Sequence, residues 1–150
     1  MPFHFRLQSL LRWKKGLEEL AQMAVAEKGR QLHRQEEEIQ RLVSHRAASD
    51  QTLCKKTIEG IQAGEYLAYK DYDERNYHAL MNMEAEKEQT KKELGEERER
   101  LLGFMKERKI LEKVKEKRLK TYLTQMEKRD QKNMDEIVIQ TSSSPSGKVL

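Results

Sequence analysis

Apolar side chains recur along this 150-residue chain at intervals of three, four and seven, and charged residues fill the positions between them. In the N-terminal part, Leu7, Leu10, Leu17, Leu20 and Ala24 form one such stripe. Leu32, Ile39, Leu42 and Val43 resume it after a small shift, and Leu53, Ile58 and Ile61 end it. This period gives a long α-helix a single apolar face, and the shifts predict a seam that is not one strict heptad. A second stripe runs through Leu67, Tyr69, Tyr72, Leu80, Met83, Leu94, Leu101, Phe104, Leu111, Leu119, Tyr122, Met126 and Ile137, with polar interruptions at Lys87 and Thr90. Two helices are therefore expected, over about 5–59 and 65–139.

The segment between them, Glu59-Gly60-Ile61-Gln62-Ala63-Gly64, places two glycines where a helix end needs backbone freedom. Ser49-Asp50 is a second turn candidate, but the apolar pattern runs through it. A reversal at 60–64 lets each stripe bury itself on the other, with facing residues whose numbers sum to about 124 for helices of equal rise. The expected fold class is all-α, a long antiparallel two-helix coiled-coil hairpin over 1–140. The Ser-rich end TSSSPSGKVL, residues 141–150, is expected to be a disordered tail. The second helix is expected to extend past the first by about 20 residues. One uninterrupted helix in a parallel homodimer is the structural alternative, and Gly60 and Gly64 count against it.

Composition supports helices. No proline lies between Pro2 and Pro145, 37% of residues are charged and 36% hydrophobic, and good helix formers dominate. The net charge of +4 from 30 basic and 26 acidic residues permits an acidic partner without requiring nucleic acid. Cys54 is the single cysteine, so an intramolecular disulfide is excluded. No run approaches the roughly 20 apolar residues that span a membrane.

Chemistry is sparse. His4, His33, His45 and His78 are scattered, with no HExxH or CxxC spacing, and no phosphate-binding glycine loop occurs. No catalytic, cofactor-binding or metal-binding residue is expected, and the acidic run Glu36–Glu38 reads as a solvated helix face. Two features stand out. Tyr66, Tyr69, Tyr72 and Tyr77 cluster just after the turn, where they fit either seam packing or a docking patch. The stretch ERKILEKVKEKRLK, residues 107–120, is basic but interleaved with Glu, which suits a face meeting an acidic protein better than a nucleic-acid stripe. A generic coiled-coil tether or homodimeric scaffold and, less favoured, a nucleic-acid-binding helix pair are the alternative functions.

The opening FRLQSLLRWKKGLEELAQMAVA (5–26), the middle GIQAGEYLAYKDY (60–72) and the stretch ERKILEKVKEKRLKTYLTQMEKRDQKNMDEI (107–137) together resemble the flagellar type III export protein family FliJ. RDQKNMDEI is the most specific part, and the resemblance covers nearly the whole chain. It implies a non-enzymatic stalk-like coiled coil without a cofactor. The implied location is cytoplasmic, peripheral at the cytoplasmic face of the inner membrane. Implied partners are the hexameric flagellar export ATPase, the export gate membrane protein FlhA and export chaperones, with no nucleic acid. Residues implied to meet the ATPase ring are Phe5, Leu7, Tyr122, Asp130, Gln131, Met134, Asp135 and Glu136. Leu42, Tyr72 and Ala79 match the family's gate-binding surface, and Tyr69 joins them from the tyrosine cluster. His45, Ser49, Asn76 and Met83 depart from the family pattern there.

Overall fold

The computed structural model describes residues 2–143. Two helices make up the chain, α1 (Gln8–Glu59) and α2 (Ala63–Ser143), and no strand occurs among the described residues. The fold is all-α, an antiparallel two-helix hairpin. Of the expected tail, Thr141–Ser143 close α2, and residues 144–150 lie outside the described residues.

Only Gly60, Ile61 and Gln62 are non-helical at the turn. Gly60 has a φ of 102°, a left-handed conformation that L side chains resist and glycine adopts freely. Gly64, in contrast, lies in the first turn of α2 with open space around its Cα. The first bond of the new helix runs from Tyr66 N–H to the Gln62 carbonyl at 3.0 Å. Lys56 in the last turn of α1 and Glu65 in the first turn of α2 each complement the helix dipole. They pair with each other across the turn at 2.7 Å. Ser49-Asp50, the other turn candidate, is helical.

The chain divides into two compact units, a turn unit of residues 17–103 and a terminal unit made from residues 1–16 and 104–150. In the turn unit the buried and half-buried positions of α1 include Glu18, Ala21, Val25, Lys28, Leu32, Gln35, Ile39, Leu42, Arg46, Ser49, Leu53 and Lys56. They alternate at three and four residues without a break. Those of α2 run Tyr69, Asp73, Asn76, Leu80, Met83, Lys87, Thr90, Leu94, Glu97 and Leu101 with the same spacing. In the terminal unit Leu11 and Lys14 oppose Phe104, Arg108, Leu111 and Lys115 in that pattern. This is the knobs-into-holes period of a coiled coil.

The seam is thus a regular heptad, and the expected phase shifts are not there. Several residues assigned to the stripe face outward: Leu10, Leu20, Val43 and Ile58 on α1, and Leu67, Tyr72, Leu119 and Ile137 on α2. Leu20 is 64% and Ile58 87% exposed, which removes both from the core. The seam keeps one heptad phase throughout, so residues one position off it turn outward even where the seam position itself is polar. Lys87 and Thr90, expected as interruptions, sit in the seam itself, and the buried Thr90 satisfies its hydroxyl by donating to the Glu86 carbonyl at 3.1 Å. Gln35, Asn76 and Glu97 each hold a buried polar atom with no partner among the described residues. A polar residue in a coiled-coil seam costs stability and fixes register.

Register follows the antiparallel expectation. In the turn unit Arg46 pairs with Asp73 at 3.2 Å and Lys28 with Glu93. In the terminal unit Lys14 pairs with Glu107 at 2.6 Å, and the Lys115 ammonium donates to Gln8 at 2.8 Å.

Two outcomes follow for stability, both measurable by thermal or denaturant unfolding. Gly60→Ala destabilises by about 1–2 kcal/mol because Cβ opposes the positive φ, whereas Gly64→Ala stabilises by about 0.4–1 kcal/mol. Ile39→Ala costs about 2 kcal/mol or more, and Leu20→Ala stays within about 0.5 kcal/mol.

Candidate interaction surfaces

The turn unit carries the tyrosine cluster. Tyr69 is a half-buried seam residue at the start of α2, and the Lys56 ammonium lies 5.2 Å from its ring centre. Tyr72 lies outside the seam and is 40% exposed. Its hydroxyl shares a 2.7 Å hydrogen bond with His45 Nε2, and the two rings meet edge-on. Each of Tyr66, Tyr72 and Tyr77 also has a cation over its ring, from Lys70, Arg75 and Arg46. The cluster is therefore a set of partly exposed aromatic faces steadied by cations, with an amphipathic character common in interfaces.

Of the expected gate-binding residues, Ala79 is exposed one heptad beyond Tyr72, so the two share one face of α2. Leu42 and Tyr69 are half-buried in the seam beneath. The structure joins Tyr72 to His45, a partner that spacing within one helix could not supply. Beside the cluster, Leu53, Ile58, Cys54 and Tyr66 line an open groove with Asp50 and Lys70 at its edges.

The terminal unit divides the residues expected at the ATPase-facing end into two kinds. Phe5, Leu7 and Tyr122 belong to the packed part. Phe5 is buried with the Arg118 guanidinium 5.7 Å from its ring, Leu7 is half-buried, and Tyr122 meets Phe3 at 5.5 Å between ring centres. Asp130, Gln131, Met134, Asp135 and Glu136 are all exposed on α2 beyond that packing. Met134, Ile137 and Val138 share a face there at helical spacing, each about 60% exposed or more. Phe3, Arg118, Val138 and Ile139 were not singled out by sequence reasoning, and Ile137 was expected in the seam rather than on this face. Phe3 and Arg118 become visible only once the antiparallel register is known.

Charge separates the two units more sharply than the chain total suggests. The described part of the terminal unit holds 15 Lys or Arg against seven Asp or Glu, and residues 17–103 hold 14 against 19. Sequence reasoning missed this because the basic segments 6–15 and 106–120 lie far apart along the chain.

No group of three or more potential metal ligands occurs among the described residues, and none of the described helices is long and apolar enough to cross a membrane.

The comparisons with known proteins bear on this arrangement. A family model described as "Flagellar FliJ protein" matches residues 3–146. The chain belongs to the FliJ family. It is accordingly a protein of flagellar type III export, a family of export accessory proteins associated with the cytoplasmic export apparatus. No curated protein matches. Among solved structures, a YscO homolog from Chlamydia trachomatis is similar at 22% identity and a TM-score of 0.54, covering 99% of this FliJ chain and all of its own. At that identity the likeness concerns the fold, and it places the same helical architecture in both proteins.

Two carboxylates of the turn unit report on its electrostatics. The Lys28 ammonium, hydrogen-bonded to Glu93 with Gln89 as a second donor, holds that carboxyl below its ordinary value of 4.5. The Arg30 guanidinium lowers Glu27 in the same way. At the turn, the hydrogen bond from Lys56 to Glu65 pushes the ammonium's value up. A carboxyl lowered on folding contributes stability above its unfolded value, and that contribution is lost as pH falls through the folded one. The thermal midpoint of this FliJ chain should therefore drop as pH is taken below 4.5, modestly because these groups are exposed. Glu93→Gln should make that drop shallower, which a series of melts from neutral to acid pH measures.

Proposed function

We propose that this chain is a stalk-like accessory protein of the export ATPase, a binding protein without a catalytic centre. Its terminal unit would dock into the hexameric ATPase ring, and its turn unit would engage the export gate protein FlhA and empty export chaperones. The observation that carries the reading is membership of the FliJ family over residues 3–146, in a fold that offers two separate exposed surfaces of unlike chemistry. One is basic with exposed apolar residues. The other is acidic overall and presents tyrosines.

The mechanism follows from symmetry. An asymmetric helix pair inside a symmetric ring contacts only some subunits at a time. Contacts that differ between nucleotide states shift the population of those states, so the hairpin would promote ring assembly and turnover without itself touching the nucleotide. Association at the cytoplasmic face of the inner membrane would come through the gate protein.

The test measures ATP hydrolysis and oligomerisation of the cognate ATPase with and without the full chain. Stimulation of both is expected, and Met134→Asp with Ile137→Asp should abolish most of it while leaving the hairpin's melting temperature unchanged. Tyr72→Ala should weaken binding to the cytoplasmic domain of the gate by roughly tenfold or more and leave ATPase stimulation intact. An ATPase whose activity and assembly ignore this chain would refute the reading.

A further inference from the structure

The apolar residues that the coiled coil leaves outside its seam in the terminal unit point to a second use for this part of the helix pair. In the terminal unit Leu10 is 38%, Trp13 59% and Ile110 62% exposed. They lie on one side of the helix pair. Lys14 fixes this, because its ammonium pairs with Glu107 on α2 and also lies 4.9 Å from the Trp13 ring centre. Leu10 is one turn back from Lys14, and Ile110 is three residues on from Glu107. In an antiparallel pair those two steps run the same way, so Leu10, Trp13 and Ile110 flank a shared side.

The rim of this face is basic. Lys113 and Lys117 lie three and seven residues after Ile110 on the same side of α2, and Arg6 lies in the turn that leads into α1, four residues before Leu10. All three are exposed, and their charged side-chain groups make no hydrogen bond or ion pair among the described residues. Glu107, the acid on this side, is already held by Lys14.

We propose that this face takes an acidic amphipathic helix from a partner protein, which packs its apolar ridge on Leu10, Trp13 and Ile110 as a third helix and sets its carboxylates against Arg6, Lys113 and Lys117. Apolar anchors ringed by complementary charge are the mark of helix-in-groove recognition. A polyanion such as nucleic acid would use the lysines but leave the aliphatic anchors without a role. The inference does not depend on the ATPase reading: it concerns the flank of the helix pair, and its assay contains no ATPase.

Trp13 is the single tryptophan, so its emission reports the site in the intact chain. The probe is a peptide of about three heptads, with Leu at the first and fourth positions of each and Glu and Gln elsewhere. Saturable binding with a blue shift of Trp13 emission is expected, weakening as salt rises. Ile110→Glu and, separately, the double variant Lys113→Glu/Lys117→Glu should each weaken it at least about tenfold. Both alter exposed residues, and unchanged circular dichroism melts verify the fold. Absence of a saturable shift overturns the proposal. So does equal binding of a scrambled peptide or of one with Lys in place of Glu. A shift given by phosphatidylglycerol vesicles or a DNA duplex and not by the peptide overturns it as well.

Discussion

Neither helix of this protein can bury its seam alone, and everything else rests on the reversal that brings the two seams together. Gly60 provides it with one left-handed backbone conformation. The helix on one side ends with Lys56 near its negative pole, and the helix on the other begins with Glu65 near its positive pole. Once the chain has turned, a seven-residue repeat on each helix determines which residues meet. That repeat holds although many of its positions are polar, because long side chains such as Lys14, Lys28 and Arg46 lay their stems along the seam and carry their charges to acids at its edge.

A seam built this way is a modest source of stability and a strong source of register. Gln35, Asn76 and Glu97 each bury a polar atom without a partner among the described residues, a cost that an all-leucine seam would avoid. In exchange, cross-helix pairs such as Arg46–Asp73 and Lys28–Glu93 are satisfied in one alignment. On the proposed reading, in which this FliJ-family chain presents surfaces to other components of an export apparatus, alignment matters more than depth of core. The seam also leaves much apolar surface outside it, including Trp13, Ile110 and the Met134–Ile139 run. Such surface has a use when partners cover it.

Charge organisation is the second consequence of the fold. A chain with a net charge of +4 gives little indication that one unit carries a basic excess and the other an acidic one. The hairpin collects residues 6–15 and 106–120 into one unit and leaves the acidic segments in the other. The same pairing places Tyr72 of α2 against His45 of α1, so the aromatic patch near the turn draws on both helices.

Much of this was legible in the residues. The absence of internal proline, the three-four spacing and the two glycines near 60 determine an all-α chain that doubles back, and the motifs at both ends and the middle carry the family. The seam's phase was harder to read. Near the N-terminus Leu10, Leu17 and Ala24 compete with Leu11, Glu18 and Val25 one residue later, and the first set is the more apolar. Followed by sevens, however, the first set becomes Gln31, Glu38 and His45, and the second becomes Leu32, Ile39 and, two heptads on, Leu53. A long helix can present only one straight stripe to its partner, so the phase that stays apolar over many turns wins and the locally richer one is turned outward. Sequence alone thus determined the helices, the reversal and the family. Which leucines are core and which are surface, and which distant charges become neighbours, was decided by tertiary pairing, because burial depends on what the opposite helix offers at each level.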